Sequence, residues 1–224
     1  HYIPSEETEP QRSSANFEQF AQLLGSLHYD LAELDYTPQS TIPHFHDFPH
    51  YFGLLQERLD IMQPVDQVLG YMALEHGERL TGITGTPQLI HGDPKLTNAL
   101  YRGGQAFTFI DWDTLMQGSP MLDVGDMLRS MMGRMYDENP NTTAKSLVPI
   151  AKSYHTQVQP ETDADMFVDE VIHATRLLSL GLAVRYLIDT VDGSYFQWDP
   201  NRYPDSSSHN RHRALRQLAV FGAL

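Results

Sequence analysis

Hydrophobic side chains recur every three or four positions along much of this chain, the spacing that places them on one face of an α-helix. Polar residues occupy most of the positions between them. The runs cover about Asn16–Tyr29, Tyr51–Met62, Val65–Leu80, Asp123–Met135, Asp163–Asp192 and Ser208–Phe221. The pattern therefore predicts a mainly helical protein.

The centre of the chain has a different pattern, in which short apolar runs flank a pair of glycines. Ala99–Tyr101 precedes Gly103-Gly104, and Phe107–Ile110 follows them. Two short extended runs around a Gly-Gly pair are typical of a β-hairpin. The predicted fold class is therefore mainly α with a small β-hairpin insert, an α+β arrangement.

Composition and charge narrow the range of partners. The chain has 224 residues and no cysteine, which excludes a disulfide scaffold, a zinc–thiolate site and a cysteine nucleophile. A formal net charge of -14 repels phosphate backbones and anionic membranes. No apolar run approaches the roughly 20 residues needed to cross a bilayer. We expect a cytoplasmic protein that binds a small molecule rather than nucleic acid or a membrane.

The functional prediction depends on two segments, HGDPKLTN at 91–98 and IDWD at 110–113. Phosphoryl transfer needs one carboxylate that orients the attacking hydroxyl and accepts its proton, and oxygen ligands that hold magnesium on a nucleotide triphosphate. Asp93 suits the first role, because it lies in a tight loop directly after an apolar run. Asn98 and Asp111 suit the second.

The predicted hairpin explains how Asn98 and Asp111 could share one cation. With a turn centred on Gly103-Gly104, Asn98 lies opposite Phe109, and Asp111 follows two residues later on the same face. A small twist or bulge then brings the amide oxygen and the carboxylate together. A one-residue slip in register would separate them.

The order His-Gly-Asp, four residues, Asn, and then Ile-Asp about a dozen residues later resembles the aminoglycoside phosphotransferase and choline kinase superfamily, whose members share the protein-kinase-like fold. The segments HGDPKLTNALY and FIDWDTLMQGSPMLDVGDMLRS are most similar to the N-acetylhexosamine 1-kinase branch. The similarity continues through IPHFHDFPH, AVRYLIDTVDGSYF and RHRALRQLAVF, and so covers nearly the whole chain. The resemblance implies a phosphotransferase that acts on a small-molecule hydroxyl, with a sugar such as an N-acetylhexosamine as first choice.

For the central motif, the resemblance implies the same roles as the spacing. Asp93 would be the catalytic base, and Asn98 and Asp111 would be the magnesium ligands. His91 would be structural and brace the catalytic loop. The implied cofactors are Mg²⁺ and ATP, with ATP as the phosphoryl donor.

Further residues are implied to support the loop or to bind the acceptor. Asp123 would cap the helix that follows and brace the catalytic loop. Asp113 would lie behind the metal ligands or touch the substrate. Arg185 and Tyr195 match an arginine and a tyrosine that contact the sugar in the N-acetylhexosamine branch. That branch has an acidic residue one helical turn before the arginine, where this chain has Gly181.

Kinases of this fold also carry an amino-terminal, β-rich lobe with a loop that covers the phosphates and a lysine that pairs with them. No run of strands with such a loop precedes residue 16. We therefore predict that residues 1–14 are a hinge or linker from an amino-terminal lobe absent from this chain. Residues 15–224 would form the helical catalytic lobe.

The sequence leaves several alternatives open. An aminoglycoside, choline or another amino alcohol could replace the sugar as acceptor. A non-catalytic lobe that binds a ligand or partner is a second class of function, and a metal-dependent hydrolase is a third, although it needs a further cluster of metal ligands. His44, His46 and His50 could hold a metal, although their spacing fits no familiar zinc motif. Lys95 could be a solvated loop lysine or contact a phosphate.

Overall fold

The computed structural model describes residues 14–80, 82–83, 85–158 and 164–224, and it describes side chains from residue 16 onwards. The prediction of a mainly helical fold with a small β-hairpin is confirmed. The helices are α1 Ser14–Ala32, α2 Phe48–Arg58, α3 Pro64–Glu78, α4 Pro120–Glu138, α5 Val148–Val158, α6 Ala164–Asp192 and α7 Ser206–Ala223, and the strands are β1 Gln88–Ile90, β2 Ala99–Arg102, β3 Gln105–Phe109 and β4 Met116–Gly118. The predicted hinge at 1–14 lies outside the described residues, apart from Ser14, and so does Asp163.

Several helices begin earlier than the hydrophobic pattern predicted, because capping residues set their first turns. At the start of α2, the Asp47 carboxylate accepts a hydrogen bond from the backbone amide of His50 at 3.1 Å. At the start of α4, the Ser119 hydroxyl accepts one from the amide of Met121 at 3.2 Å. Such caps satisfy amides that have no partner inside the helix. Ser119 therefore caps α4, and the predicted capping role of Asp123 is wrong.

Two elements were not predicted from the sequence, the helix α5 and the strand β4. α5 begins at Val148, directly after a 3₁₀ turn over Ala144–Leu147. β4 pairs antiparallel with β1, with Leu89 opposite Gln117. Both strands of this pair have three residues, too few to show an alternating pattern in the sequence.

The chain divides into two compact units. Unit 1 contains residues 1–43, 83–175 and 224, and unit 2 contains residues 44–82 and 176–223. The division falls inside α6, between Thr175 and Arg176. Among the described helices, α6 alone is long and apolar enough to cross a membrane, but 67% of its apolar window is buried within the protein. This burial is typical of a core helix.

The core of unit 1 joins α1 to α5 and to the β2–β3 hairpin. The rings of Phe20 and Phe109 meet edge to face, with 5.2 Å between their centroids. On α1, a Cβ at Gly25 would lie 2.7 Å from the Cβ of Gln157, so glycine allows α1 and α5 to pack closely. On α4, the wholly buried Met127, Met131 and Met132 belong to the same unit. The hairpin that carries the candidate site thus rests on packed helices.

The core of unit 2 is formed by α2, α3, α7 and the last part of α6. Its buried residues include Leu55, Leu59, Ala73, Val184, Leu187 and Phe221. A two-pronged ion pair joins α7 to α3, because the Arg211 guanidinium donates to both oxygens of the buried Asp66 at 2.6 and 2.7 Å. Paired geometry of this kind offsets the cost of burying the carboxylate.

Candidate active site

The loop after β1 turns sharply and leaves Asp93 at its tip. Gly92 has a φ of 89°, and a Cβ at this position would collide with the carbonyl oxygen of Thr114. Glycine is therefore required both by the backbone conformation and by the close approach of another chain segment. The Thr114 hydroxyl donates a hydrogen bond to the carbonyl of His91 at 2.8 Å, which closes the same contact.

Asp123 binds this loop from α4. One carboxylate oxygen accepts the backbone amide of His91 at 2.7 Å, and the other accepts that of Gly92 at 2.8 Å. The Asp123 side chain is wholly buried. Its position one turn inside α4 explains why it holds the loop while Ser119 caps the helix.

The Asp93 carboxylate has two side-chain partners. The Asn98 amide nitrogen donates to Asp93 Oδ2 and to the Asp93 carbonyl, both at 3.0 Å. The Lys95 ammonium pairs with the same Oδ2. Lys95 is therefore not simply solvated, a contact that the sequence did not reveal. With its nitrogen engaged, Asn98 leaves its amide oxygen without a hydrogen-bond donor among the described residues, and so free to bind a cation.

The pKa of Asp93 is raised from 3.8 to about 6. Burial is the largest cause, and the negative charge of Asp126 raises it further. Lys95 and Arg129 oppose these effects. A carboxylate with a pKa close to neutrality is a better proton acceptor than an ordinary aspartate while still largely ionised at pH 7.

The hairpin register differs by one residue from the prediction. Ala99, and not Asn98, lies opposite Phe109, because the register shifts between Leu100 and Tyr101. The shift leaves Asn98 just beyond the paired strands, where its carbonyl accepts a hydrogen bond from the amide of Ile110 at 3.0 Å. The irregularity thus places Asn98 beside the residue that precedes Asp111.

Asp111 has a backbone conformation that is unusual for its residue type. Its φ of 67° and ψ of 60° lie in the left-handed region, which non-glycine residues occupy rarely and often at functional sites. The side chain is exposed, and its carboxylate accepts no hydrogen bond from any residue that the structure describes. Asp113, two residues on, is also exposed, and its carbonyl accepts a hydrogen bond from the Thr41 hydroxyl. Asp113 is not joined to Asp93 or Asn98.

His91 connects the two predicted motifs. Its Nδ1 accepts a hydrogen bond from the Asp93 amide at 3.3 Å, and its Nε2 donates to the carbonyl of Ile110 at 2.9 Å. Burial lowers the pKa of His91, which favours the neutral imidazole that this pattern requires. The ring of Trp112 lies 4.7 Å from that of His91 and is 41% exposed. The side chain of His91 therefore joins the loop that bears Asp93 to the segment that bears Asp111.

Unit 2 brings Arg185 and Tyr195 together in an aromatic cluster. The Arg185 guanidinium lies 4.9 Å from the ring centroid of Tyr195 and 5.2 Å from that of Tyr51. The rings of Phe45 and Phe196 follow at 5.7 and 5.6 Å. Within the described part of the chain, no carboxylate forms an ion pair with Arg185. The guanidinium is thus held by aromatic faces, and its N–H groups are not used by an acid.

Asp189 holds the loop that supplies two of these rings, and the sequence did not identify it. Its Oδ1 accepts the amides of Ser194 and Tyr195 at 3.0 Å, and its Oδ2 accepts that of Phe196 at 2.9 Å. Asn210 donates to the same Oδ2 at 2.9 Å. A signal was present, since an aspartate one turn before Gly193-Ser194 is well placed to bind amides beyond the helix end.

The position of Gly181 is filled from another helix. A Cβ at Gly181 would lie 2.5 Å from the Phe48 ring, so any side chain here would displace that ring. An acidic residue at this position would require a different arrangement of Phe48. The Phe48 ring therefore lies in the space that a side chain at residue 181 would occupy.

The three histidines considered as a metal site do not converge. The rings of His44 and His50 stack with 3.7 Å between centroids and 12° between planes, and His44 Nδ1 lies 3.0 Å from the Asp47 carboxylate. Parallel imidazoles do not direct their nitrogens at one ion. Across the described ranges, no group of three or more His, Cys, Asp or Glu residues could hold a metal.

Comparisons with known proteins agree with this architecture. The profile of APH, described as the phosphotransferase enzyme family, matches residues 2–145. A choline kinase from Cryptosporidium parvum Iowa II is similar in structure, with a TM-score of 0.64 and 13% identity over 98% of this chain and 69% of its own. A Plasmodium vivax ethanolamine kinase is also similar in structure, with a TM-score of 0.61 and 11% identity over 99% of this chain and 63% of its own.

A third similar structure is the GDP complex of wild-type aminoglycoside 2'-phosphotransferase-IIIa. Its TM-score is 0.56 at 13% identity, over 97% of this chain and 69% of its own. Likeness at such low identity shows a shared fold. This chain spans between 63% and 69% of the length of these three proteins.

Proposed function

This chain belongs to the phosphotransferase enzyme family APH, and on that premise we propose that it transfers a phosphoryl group from ATP to a hydroxyl of a small molecule. The observation that carries the proposal is the set of contacts around Asp93. A partly buried carboxylate with a pKa of about 6 accepts a hydrogen bond from Asn98, in a loop that His91 ties to the segment bearing Asp111. Neither a binding module nor a structural lobe needs such a carboxylate.

Asp93 is the proposed base. It orients the acceptor hydroxyl and takes its proton as the oxygen attacks the terminal phosphorus. The raised pKa suits this role, because proton transfer to Asp93 becomes less unfavourable. When the hydroxyl binds Asp93, Lys95 is released from Oδ2 and can meet negative charge on the phosphoryl oxygens.

Asn98 and Asp111 are the proposed magnesium ligands, because each offers an oxygen that no described donor occupies. An amide oxygen and a carboxylate are hard ligands of the kind that Mg²⁺ prefers, and nucleotide phosphates complete such sites. When bound, Mg²⁺ neutralises charge on the phosphates. The chain's contribution is to hold both oxygens on backbone fixed by the hydrogen bond between Ile110 and Asn98.

Arg185 and Tyr195 are the proposed acceptor contacts. An arginine without an acidic partner can donate to the hydroxyl and carbonyl oxygens of a sugar such as an N-acetylhexosamine. The half-exposed ring of Tyr195 offers a face for the sugar. Choline, an amino alcohol or an aminoglycoside remains the second candidate, favoured by the net charge of -14. Against it, Arg185 already places a positive charge among the rings that would bind an ammonium group.

The test is ATP turnover by the full-length gene product against a panel of N-acetylhexosamines, other sugars, choline, ethanolamine and aminoglycosides. ADP release that depends on both Mg²⁺ and one acceptor is expected, and the preferred acceptor separates the candidates. Absence of turnover with every acceptor would support the non-catalytic lobe instead. The cysteine-free composition supports a cytoplasmic location, where ATP is supplied.

A further inference from the structure

A chain of buried side chains continues from the catalytic loop to α1 and α5. Asp123, which binds the amides of His91 and Gly92, also accepts a hydrogen bond from Nε2 of His28 at 3.0 Å. The other nitrogen of His28, Nδ1, lies 2.7 Å from the hydroxyl of Tyr154. His28, Asp123 and Tyr154 are each at most 2% exposed. Asp123 and the loop residues belong to the motifs from which the function was predicted. His28 and Tyr154 do not.

The bonding pattern defines the direction of each hydrogen bond. Asp123 offers only acceptors to three N–H groups, so Nε2 of His28 must carry a hydrogen. In the neutral imidazole, Nδ1 is then an acceptor, and the Tyr154 hydroxyl must donate to it. Burial raises the pKa of Tyr154, so this hydroxyl keeps its proton at neutral pH. Asp123 thereby selects the tautomer of His28, and Tyr154 supplies the donor that Nδ1 of that tautomer requires.

The energetic importance of the bond follows from the burial of Asp123. A carboxylate removed from water is costly unless all its strong acceptor sites are satisfied. His28 is its side-chain donor in unit 1, while the other two donors are the loop amides themselves. Without His28, one lone pair of the buried Asp123 carboxylate has no hydrogen-bond donor. The free-energy cost favours rotation of the carboxylate or entry of water. Either change weakens the grip on the amides that precede Asp93.

We propose that His28 and Tyr154 are positioning residues of the catalytic loop. Tyr154 satisfies Nδ1 of His28 and fixes the orientation of its ring, and His28 holds the Asp123 carboxylate in the orientation that binds the amides of His91 and Gly92. The effect of this arrangement on turnover rests on the proposed function, because it acts through Asp93. Its effect on the conformational order of the loop is independent of the proposed function.

A matched pair of variants tests the donor itself. His28→Gln keeps an N–H near the position of Nε2, whereas His28→Met has a similar volume and no donor. Hydrogen exchange at the His91 and Gly92 amides is expected to be at least about tenfold faster in His28→Met than in the wild type, and within about threefold in His28→Gln. Equal protection of these amides in all three proteins would overturn the proposal.

Turnover provides the second readout in the same proteins. His28→Met is expected to lower kcat by about 10- to 100-fold while the KM for ATP changes less than about threefold, and His28→Gln restores most of kcat. A rise in KM alone, or an equal loss in both variants, contradicts a positioning role. If the exchange result appears but no protein transfers phosphate, the proposed function fails and the bracing of the loop stands.

Tyr154→Phe tests the support of the His28 ring. It removes one hydroxyl from a wholly buried ring and leaves the ring in place. The ¹⁵N spectrum of the His28 imidazole is expected to keep the Nε2–H tautomer that Asp123 requires, with a changed Nδ1 shift, and exchange at the Gly92 amide is expected to be at least about threefold faster than in the wild type. Unchanged exchange at this amide would refute the part assigned to Tyr154. The control is His155→Phe, which replaces the next side chain of α5, a buried imidazole that contacts Phe167.

Should His28→Met and His28→Gln fail to fold, His28→Ala produced in the presence of imidazole tests the same donor. A cavity of about 360 Å³ borders His28 and Tyr154, and the space left by His28→Ala would join it. Added imidazole is expected to restore protection of the Gly92 amide and turnover. Thiazole, a ring of the same size without an N–H donor, is expected to restore neither. Equal rescue by both rings would show that only volume matters and would overturn the proposal.

Discussion

The Asn98 side-chain amide donates to the Asp93 carboxylate at 3.0 Å, and this bond joins the proposed base to a proposed metal ligand. It orients both groups at once, because it occupies the nitrogen of Asn98 and leaves the amide oxygen for a cation. The Lys95 ammonium on the same oxygen of Asp93 balances part of its charge.

Asp93→Asn should abolish phosphoryl transfer and stabilise the fold. Loss of the base is expected to lower kcat by at least about 100-fold, as for other general bases. The carboxylate is destabilised by burial in the folded chain, so removing its charge should raise the free energy of unfolding at pH 7 by on the order of 2 kcal/mol. Thermal melting and initial rates measure the two effects. Full activity in this variant would eliminate Asp93 as the base.

The stabilisation by Asp93→Asn should depend on pH in a defined direction. The pKa of Asp93 is about 6 in the folded chain and 3.8 without the fold, so the folded chain binds more protons between these values. Wild-type Asp93 therefore destabilises the fold less and less as pH falls from above 6 to below 4. The melting-temperature advantage of the variant should shrink over that range. An advantage that grows at low pH would contradict a raised pKa.

Asp126→Asn should lower the pKa of Asp93. The negative charge of Asp126 raises that pKa, whereas the charge of Arg129, which bonds to Asp126 at 2.8 Å, lowers it. Removing the charge of Asp126 and keeping that of Arg129 favours the ionised form of Asp93. A ¹³C titration of the Asp93 carboxyl in metal-free protein measures the midpoint, expected near pH 6 in the wild type. Asp35→Asn, an exposed position in the same unit, is the control and should leave the midpoint unchanged.

Asp111→Asn and Asp111→Ala should separate metal binding from backbone strain. Both remove the carboxylate, so both should raise the Mg²⁺ concentration needed for half-maximal turnover by about tenfold or more. Only alanine should also lose stability, by about 1 kcal/mol, because asparagine tolerates the left-handed conformation that Asp111 adopts. Urea unfolding compares the two. Equal stability of the variants would argue against strain at this residue.

Arg185→Met should weaken acceptor binding without affecting ATP. The guanidinium is proposed to donate to acceptor oxygens, so its loss is expected to raise the acceptor KM by about tenfold or more while the KM for ATP stays within about twofold. Arg185→Lys should recover only part of the affinity, because an ammonium lacks the planar fork of donors. Arg58→Met, whose guanidinium bonds to Asp192 in the same unit, is the matched control. The same acceptor KM in all proteins would remove Arg185 from the site.

Much of the fold follows from local patterns that the chain carries in its own order. The helical periodicity located six of the seven helices in the described part, because one buried face determines which positions are apolar. α5 escaped prediction, since the helical spacing of Ile150, Ala151 and Tyr154 extends over only 11 residues and begins beside Pro149. Helix starts were set by caps such as Asp47, which lie outside the hydrophobic runs.

The candidate residues were likewise found from their spacing, but their arrangement was not. The spacing brought Asp93, Asn98 and Asp111 into one hypothesis because a hairpin returns the chain to its starting point. It did not predict the shift between Leu100 and Tyr101, in a hairpin whose strand β3 packs against α1. A change of one residue in register alters no local propensity, so nothing in the order of residues signals it.

Chain order alone thus determined the helical class, the hairpin and the residue types gathered around Asp93. Only tertiary structure decided which side chains hold that loop in place. His28 is 95 residues from Asp123 and 126 from Tyr154, and all three meet because α1, α4 and α5 pack into one unit. Contacts over such separations depend on packing between elements, whereas a sequence pattern reports only how each element divides its own faces between core and water.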